Sequence, residues 1–173
     1  MITVFTMSLT SVFAHTEANP LTKNFLAGSP HYYGEGGHPV YGPSWYHDHE
    51  TQVGTVQVWN DGTNLYITIR VRQGEGLEET HVAVAESLDD IPQTKKGNPK
   101  VGQFPYKHEN LNGIRVDEFV IPLADLQLEI DDLVVIAVHA SLISGETAWA
   151  DCGGSNAYFR GNNWATFFDY TIQ

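Results

Sequence analysis

The feature that most constrains this chain is an alternation of apolar and polar residues over positions 53–71. The segment VGTVQVWNDGTNLYITIRV carries apolar residues at alternate positions before an Asn-Asp-Gly sequence at 60–62, and again after it at Leu65, Ile67 and Ile69. Side chains two residues apart lie on the same face of a strand, so this period does not fit an amphipathic helix. Asp-Gly readily supplies the positive φ angles of tight turns. The segment therefore predicts a β hairpin with one buried face.

Four more segments have the composition of strands. Residues 81–87, 115–123, 133–143 and 163–172 are rich in β-branched and aromatic residues, and Gly, Pro, Asn or Asp bounds each of them. No segment of useful length has a helical period, although PLADLQL at 122–128 is compatible with one helical turn. Short strands joined by long irregular connections predict an all-β fold, namely an antiparallel β sandwich of the immunoglobulin-like or jelly-roll kind.

The last of these segments carries a specific packing prediction. In NWATFFDYTI, alternation puts Trp164, Thr166 and Phe168 on one face of a strand and Phe167 on the other. We expect the face of Trp164 to be buried in the core.

Length and charge narrow the class of protein. A chain of 173 residues is expected to form one domain, and 42% hydrophobic residues are enough for a buried core. The formal net charge of -12 argues against nucleic acid as a partner, because affinity for a phosphate backbone comes from cationic contacts. The acidic composition suits a secreted protein with a solvated surface, and it also leaves a cation such as Ca²⁺ open as a ligand.

The N-terminal residues predict export. Residues 2–14, ITVFTMSLTSVFA, form an apolar and hydroxyl-rich run with the length of a signal-peptide core, and Val12 and Ala14 occupy the two positions that signal peptidase reads. We expect residues 1–14 to be removed, which makes the protein secreted or bound to the cell surface, with no membrane span. No Lys or Arg precedes Lys23, so the true start can lie upstream, and a hydrophobic strand is the alternative interpretation.

The segment between the predicted signal peptide and the hairpin, residues 15–52, differs in composition, and we call it the arm. Its density of Pro and Gly excludes a regular helix and indicates irregular structure. It has too many aromatic residues for a disordered linker, so much of the arm is expected to lie on the surface of the domain formed by residues 53–173. The aromatic residues that make it a candidate ligand or assembly surface are Tyr32, Tyr33, Trp45 and Tyr46.

A long connection runs from Leu88 to Gly113 between two predicted strands. Connections of this length without secondary structure are usually functional or disordered. Phe104 and Tyr106 predict that this connection packs against the edge of the sandwich and contributes to an assembly surface. Its lysines, at 95, 96, 100 and 107, form either a docking surface for an acidic neighbour, such as another copy of the chain, or a solvated loop.

Several motifs together carry a resemblance. VGTVQVWNDGTNLYITI, ETHVAVAESLDDIP, GNPKVGQFPY, VHASL, ETAWA and GNNWATFFDYTI resemble a secreted β-sandwich domain that recurs in surface and exported proteins of microbes. The resemblance covers about residues 53–172, so the arm lies outside it. It implies a sandwich fold and export, and it implies nothing about catalysis.

The arm also carries a candidate metal site in the sequence WYHDHE at 45–50. In an extended chain His47 and His49 project to the same side and present two imidazoles, which is common in zinc and copper sites. His31 and His38 could add ligands from the same arm. The alternative is a solvated polar loop, with Trp45 and Tyr46 as stacking surfaces for a glycan.

Three further histidines enter other hypotheses. His81 and His139 each occupy a predicted strand among small or β-branched residues, so they are either metal ligands or buried histidines satisfied by hydrogen bonds. Cleavage after Ala14 would make His15 the first residue, whose amine and imidazole could chelate copper, as in the histidine brace of lytic polysaccharide monooxygenases. A copper protein that uses His15 is therefore an alternative.

No catalytic signature accompanies these histidines. The chain has no G-x-S-x-G, P-loop, H-E-x-x-H or dinucleotide-binding motif, and its single cysteine, Cys152, has no cationic neighbour in sequence that would activate it. We therefore expect a non-enzymatic protein that acts by binding or self-assembly. In the leading hypothesis the arm adds a strand to the sheet edge of a neighbouring copy, with Phe25 and Leu26 as anchors. The alternative is a glycan-binding or metal-binding module that uses the arm.

Overall fold

The computed structural model describes residues 21–28, 51–150, 158–161 and 163–173, with the backbone only for residues 22–28 and 51. These residues are mostly β strand, with almost no helix, and they form two antiparallel sheets. The prediction of an all-β, sandwich-like fold is therefore confirmed.

The strands follow one another with short or irregular connections. Their bounds are β1 Leu21–Gly28, β2 Thr51–Asn60, β3 Asn64–Val71, β4 Leu77–Ala85, β5 Tyr106–His108, β6 Val116–Pro122, β7 Leu133–Leu142, β8 Thr147–Ala150 and β9 Phe168–Thr171. The one-turn helix α1 spans Leu123–Leu126 and confirms the helical turn predicted at this place. Two 3-10 turns, at Leu88–Asp90 and Val101–Gln103, lie in the long connection between β4 and β5.

Hydrogen bonding links the strands in a continuous path that doubles back on itself. The order is β5-β4-β7-β8-β1-β2-β3-β6, and β9 also pairs with β7. One layer contains β5, β4 and β7 with β8 and β9, and the other contains β1, β2, β3 and β6. Along one edge of β7, β9 pairs with Leu133–Ile136 and β8 pairs with His139–Ser141. The two layers are joined where β8 pairs with β1.

The hairpin predicted from alternation is β2–β3. Its register places Val58 opposite Ile67 and Val56 opposite Ile69, so the apolar residues of both strands face the same side. At the turn the Asp61 carboxylate accepts hydrogen bonds from two backbone N–H groups, those of Thr63 and Asn64, at 2.9 and 2.8 Å. These bonds are the largest causes that lower the pKa of Asp61.

The layers enclose a cluster of buried side chains that we call the main core. It is almost entirely aliphatic, because the strands of both layers contribute Val, Ile, Leu and Ala from their facing sides. Its largest fully buried side chains are Leu65, Ile67, Ile69, Leu77, Ile121, Ile136 and Ile172. The Tyr170 hydroxyl, which is also buried, donates a hydrogen bond of 2.7 Å to Oδ1 of Asn60 and so ties β9 to the end of β2.

A second cluster lies on the opposite face of the β4–β7–β8 sheet, and we call it the outer-face cluster. Its buried members are Ala83, Ile91, Phe104, Ala137, Trp149, Phe159 and Ala165. The strands supply the floor of this cluster, and the connections around Phe104 and Phe159 supply its cover. Rings meet edge-on or tilted within it, with Trp149 at 6.3 Å from Phe104 and 6.1 Å from Phe159 between centroids.

Several elements differ from the sequence predictions. A strand, β1, occupies Leu21–Gly28 inside the arm that composition indicated to be irregular, because pairing with two neighbouring strands fixes an extended backbone there. β5 and β8 were not predicted, since three or four residues are too few to display a period. The predicted burial of Trp164 beside Phe168 is wrong: Phe168 lies in the main core, and Trp164 is partly buried against the outer-face cluster.

The open side between β4 and β6 is closed by buried polar groups. The Asp117 carboxylate on β6 accepts a hydrogen bond from the Thr80 hydroxyl on β4. Nδ1 of His108 on β5 lies 3.0 Å from both oxygens of the same carboxylate. The His108 ring also stacks on Phe119, at 4.3 Å between centroids. These contacts hold the two layers together at the margin of the main core.

Candidate functional site

The first candidate site is the place that β1 occupies between β2 and β8, which we call the β1 slot. On one side the register runs from Leu21 opposite Val58 to Ala27 opposite Thr51. On the other side it runs from Phe25 opposite Ala150 to Gly28 opposite Thr147. β1 is therefore an internal strand, paired along both of its edges.

The walls of the β1 slot belong to the main core. Val53, Val56 and Val58 of β2 and Ala148 and Ala150 of β8 are all buried in that core. Leu21 at the start of β1 is partly buried and packs against the same core. Without β1, two strand edges and the apolar side chains beside them would face solvent, which is the arrangement that natural sheets avoid.

Beside the β1 slot, the backbone of β3 lies very close to Gly54 of β2. This glycine on β2 lies opposite Phe25 on one side and Val71 on the other. A Cβ atom at this position would lie 2.1 Å from the carbonyl oxygen of Arg70, so no larger residue fits without a backbone shift. The register of β1 shifts between Phe25 and Leu26, directly beside this glycine. β1 remains paired with β2 beyond the irregularity, through Ala27, and its pairing with β8 begins at Phe25.

Phe25 and Leu26, the anchors predicted for arm docking, have Cα partners on both sides. Phe25 pairs with Gly54 and Ala150, and Leu26 pairs with Gln52 and Trp149. Their side chains lie outside the described part of the structure, so the anchoring role stays a prediction.

The second candidate site is a row of three side chains on the outer face of the β4–β7–β8 sheet. His81 on β4 lies opposite His139 on β7, and His139 lies opposite Trp149 on β8. The two imidazole centroids are 5.6 Å apart, and the ring of His139 meets that of Trp149 nearly edge-on at 4.8 Å. The structure therefore brings together the two strand histidines that the sequence placed in separate segments.

Burial controls the charge of this histidine pair. Desolvation, with a smaller effect of the nearby His81 in the same direction, lowers the pKa of His139 to about 3. Desolvation also lowers the pKa of His81, against the opposing effect of the Glu79 and Glu109 carboxylates. Both imidazoles are consequently neutral near pH 7 and keep a lone pair on one ring nitrogen.

Polar partners around the pair are few. Nδ1 of His81 and Nδ1 of His139 are buried, and neither has a hydrogen-bond partner among the described residues. Nε2 of His81 lies 3.9 Å from Oε2 of Glu79, a side chain that is 42% exposed. The described part of the chain contains no group of three or more His, Cys, Asp or Glu side chains arranged to hold a metal ion.

The other predicted site residues fall in two groups. Phe104 is buried in the outer-face cluster, while Tyr106 packs partly buried against the main core from the edge strand β5. The remaining candidates lie outside the described residues, and their roles stay predictions: His15, His31, His38, His47, His49, Tyr32, Tyr33, Trp45 and Tyr46.

Sequence reasoning did not identify two parts of these sites. Trp149 was not predicted as a site residue, and nothing in TAWA indicated that it would lie beside His139. The contact of Thr80 and His108 with Asp117 was also missed, because the three residues come from three separate segments. Alternation did provide a signal for the histidines, since it put His81 on one face with Ala83 and His139 on one face with Ala137.

Comparison with protein-family models, with curated proteins and with solved structures finds no match for the chain. No helix among the described residues has the length and apolar character needed to cross a membrane.

Proposed function

We propose that the protein is a non-enzymatic structural subunit, exported to the cell surface or beyond, whose copies join by placing β1 of one copy in the β1 slot of the next. The observation that carries this proposal is the position of β1. It comes from the N-terminal part of the chain, it is separated from β2 by residues 29–50, and it nevertheless completes the sheet between β2 and β8.

The energetics favour exchange over loss of β1. Every backbone hydrogen bond and apolar contact that β1 makes within its own chain can be made identically by β1 of a second copy. The connecting residues 29–50 are long enough for the ends of β1 and β2 to separate, and they set the effective concentration at which a chain fills its own slot. High protein concentration then favours filling by a neighbour.

The geometry of such an exchange determines the kind of assembly. A strand given by one copy and accepted by the next is a heterologous contact, since the donating and accepting surfaces differ. Repetition of a heterologous contact produces a ring when it closes and a fibre when it does not. In an open fibre the chain at one end has given its β1 away and keeps an empty slot with two exposed strand edges, which favours addition of another copy or closure into a ring.

Export supports the same proposal. The predicted signal peptide at residues 1–14 would release the arm as a free N-terminal segment, which is the part that has to reach a neighbour. The strongly acidic composition would keep unassembled copies apart by repulsion and in solution during export.

Crosslinking of mixed chains tests the exchange. In a Cys152→Ser background, one variant carries Thr22→Cys on β1 and the other carries Gln57→Cys on β2, at positions that are Cα partners. Partners on adjacent antiparallel strands lie about 5 Å apart, within reach of a disulfide. The two variants are unfolded together, refolded at high concentration and oxidised, and the products are identified by mass spectrometry. We expect disulfide-linked heterodimers to form.

A matched control replaces Gln57→Cys by Thr68→Cys. Thr68 lies opposite Gln57 on β3, one strand farther from β1, so its thiol should not reach Thr22→Cys in either a closed or an exchanged chain. The double variant with both Thr22→Cys and Gln57→Cys should form the bond within one chain at low concentration. If the mixed sample at high concentration yields only monomers or random homodimers, the strand does not exchange and the proposal is wrong.

A further inference from the structure

On the outer face of the β4–β7–β8 sheet, two buried histidine nitrogens have no hydrogen-bond partner among the described residues. Among the described residues, the other buried polar side chains have partners: Asn60 with Tyr170, Thr80 with Asp117, and Thr166 with the carbonyl oxygen of Ala150. Only the Nδ1 atoms of His81 and His139 are buried without one in this part of the chain. A buried nitrogen without a partner has lost its hydrogen bonds to water and has gained none in the protein. Two of them side by side indicate that something can bind there.

The spacing of the two rings fits a shared metal ion. An ion that binds one nitrogen of an imidazole at about 2 Å lies about 3 Å from the ring centroid, so rings that share an ion have centroids within about 6 Å. The observed separation of His81 and His139 is 5.6 Å. Their positions are set by the direct pairing of β4 with β7, with Val82 opposite Val138 in the next register pair, so the backbone holds this separation in place.

The surroundings favour the protonation state that a ligand needs. Glu79 lies beside Nε2 of His81, and a carboxylate at that nitrogen favours the tautomer with N–H at Nε2 and the lone pair at the buried Nδ1. At 3.9 Å the carboxylate acts on this nitrogen through its charge and not through a hydrogen bond. Burial keeps His139 neutral as well, so its ring also offers a lone pair.

Coordination number selects the metal. Zn²⁺ in structural sites takes four ligands, and the described residues supply only the two histidines at this place. Cu(I) is a d¹⁰ monocation that forms stable complexes with two nitrogen ligands, and its single charge is less costly to bury than a double charge. Trp149 beside His139 shields the place from water on one side, which would slow oxidation of the bound ion.

We propose that His81 and His139 form a two-coordinate binding site for Cu(I) on the outer face of the β4–β7 pair. The site lies on the opposite face of the sheet from the main core, so it does not depend on whether β1 is exchanged between copies. It also differs from the copper hypothesis based on His15, because both ligands come from the folded domain.

Titration with Cu(I) alone tests the site. The full chain is titrated without oxygen in competition with a chromophoric Cu(I) chelator, beside His81→Gln and His139→Gln. We expect one equivalent to bind to the unchanged chain and the Kd to rise at least tenfold in each variant. The matched control is His108→Gln, a histidine that already has Asp117 as partner and should leave the Kd unchanged. A chain with His47→Ala and His49→Ala should also bind as before.

Two further measurements keep the result clear if His139→Gln does not fold. Cu(I) should quench the fluorescence of Trp149, so Trp149→Phe should remove the quenching while the Kd stays within about threefold. X-ray absorption of the Cu(I)-loaded unchanged chain should show two nitrogen neighbours. A sulfur neighbour would assign the ion to Cys152 and contradict the proposal. Absence of stoichiometric binding, or binding that persists in both histidine variants, would overturn it.

Discussion

The main core and the outer-face cluster obtain their buried side chains in different ways. The main core is filled by aliphatic side chains that strands from both layers contribute at alternate positions. The outer-face cluster brings together the rings of Phe104, Trp149 and Phe159 with small and aliphatic side chains. Its buried strand residues are Ala83, Ala137 and Trp149, and its cover comes from the connections around Phe104 and Phe159. The first region follows from local periodicity, whereas the second requires distant parts of the chain to meet.

This difference has a functional meaning. The main core has little room for variation, because its side chains interlock with both layers. The outer-face cluster is a sheet surface covered by irregular chain, so it can accommodate groups that a close-packed core excludes. The neutral pair His81 and His139 lies on this surface, beside Trp149. Substitutions in the main core and in the outer-face cluster should therefore differ in how much they lower stability and in how far the effect spreads.

The largest effect is expected in the main core. Ile67 on β3 is fully buried between β2 and β6, so Ile67→Ala removes its side chain from a place that cannot collapse. We expect the free energy of unfolding to fall by about 4 kcal/mol, measured by urea denaturation. Arg70→Ala, on the same strand but exposed, should change it by less than about 0.5 kcal/mol. A loss of only about 1 kcal/mol for Ile67→Ala would show that the core relaxes around the cavity.

A smaller and more local effect is expected in the outer-face cluster. Phe104→Ala removes a buried ring that contacts Trp149, which should cost about 3 kcal/mol. Because the cover is formed by a connection, amide hydrogen exchange should increase in residues 88–105 more than in β2 and β3. Gln103→Ala, which is exposed next to it, is the control. Equal increases in both regions would mean that the two apolar regions unfold as one unit.

The pH dependence of stability should report on the histidines of the outer face. In the metal-free protein, burial lowers the pKa of His139 to about 3, whereas an unfolded chain has a histidine pKa of about 6.5. Between these values the unfolded state binds more protons, so the free energy of unfolding falls as the pH falls. We expect a loss of about 2 kcal/mol from His139 between pH 7 and pH 5.

Urea denaturation at both pH values measures this loss. His139→Gln should remove the loss due to His139, and the pH dependence that remains includes that of His81, whose pKa burial also lowers. The stability that Asp61 contributes through its lowered pKa is present above its ordinary value of 3.8 and is lost only at lower pH, so it does not change between pH 7 and pH 5. Identical slopes in the variant and the unchanged chain would contradict the assignment to His139.

The smallest effect concerns the polar contact at the margin of the main core. Thr80→Val keeps the shape of the side chain and removes the hydroxyl that donates to the buried Asp117. We expect a loss of about 1.5 kcal/mol in the free energy of unfolding, because a hydrogen bond to a buried carboxylate disappears. Thr68→Val is the matched control, since its hydroxyl also donates to a carboxylate, that of Glu118, but at the exposed surface. Equal losses in the two variants would show that burial does not strengthen the bond.

The part of the fold that follows from alternation could be predicted from the sequence. β6 and β7 fall within the segments chosen for their composition, and the β2–β3 hairpin and β4 overlap the predicted segments, although β2 begins at Thr51 and β4 at Leu77, before the predicted starts at 53 and 81. β5 and β8 could not be found in this way, because they are extended only by virtue of the strands beside them. β1 could not be found from composition either, because Pro and Gly residues lie on either side of it.

The candidate sites show the same limit. Alternation predicted the faces of His81 and His139, but only the register of β4 against β7 puts them opposite each other, and that register depends on long connections that the sequence does not specify. Trp164 illustrates the converse error. Its alternation with Phe168 is real in the sequence, yet the strand begins only at Phe168, so the two side chains belong to different clusters.

The position of β1 also has a mechanical consequence. Its ladder with β2 and its ladder with β8 both run parallel to the direction in which the strand would be pulled. Tension along β1 therefore loads the hydrogen bonds in shear, and many of them must break together before the strand slides. A strand at the edge of a sheet, pulled sideways, would instead release its bonds one at a time. Held in this way, β1 is suited to carry load.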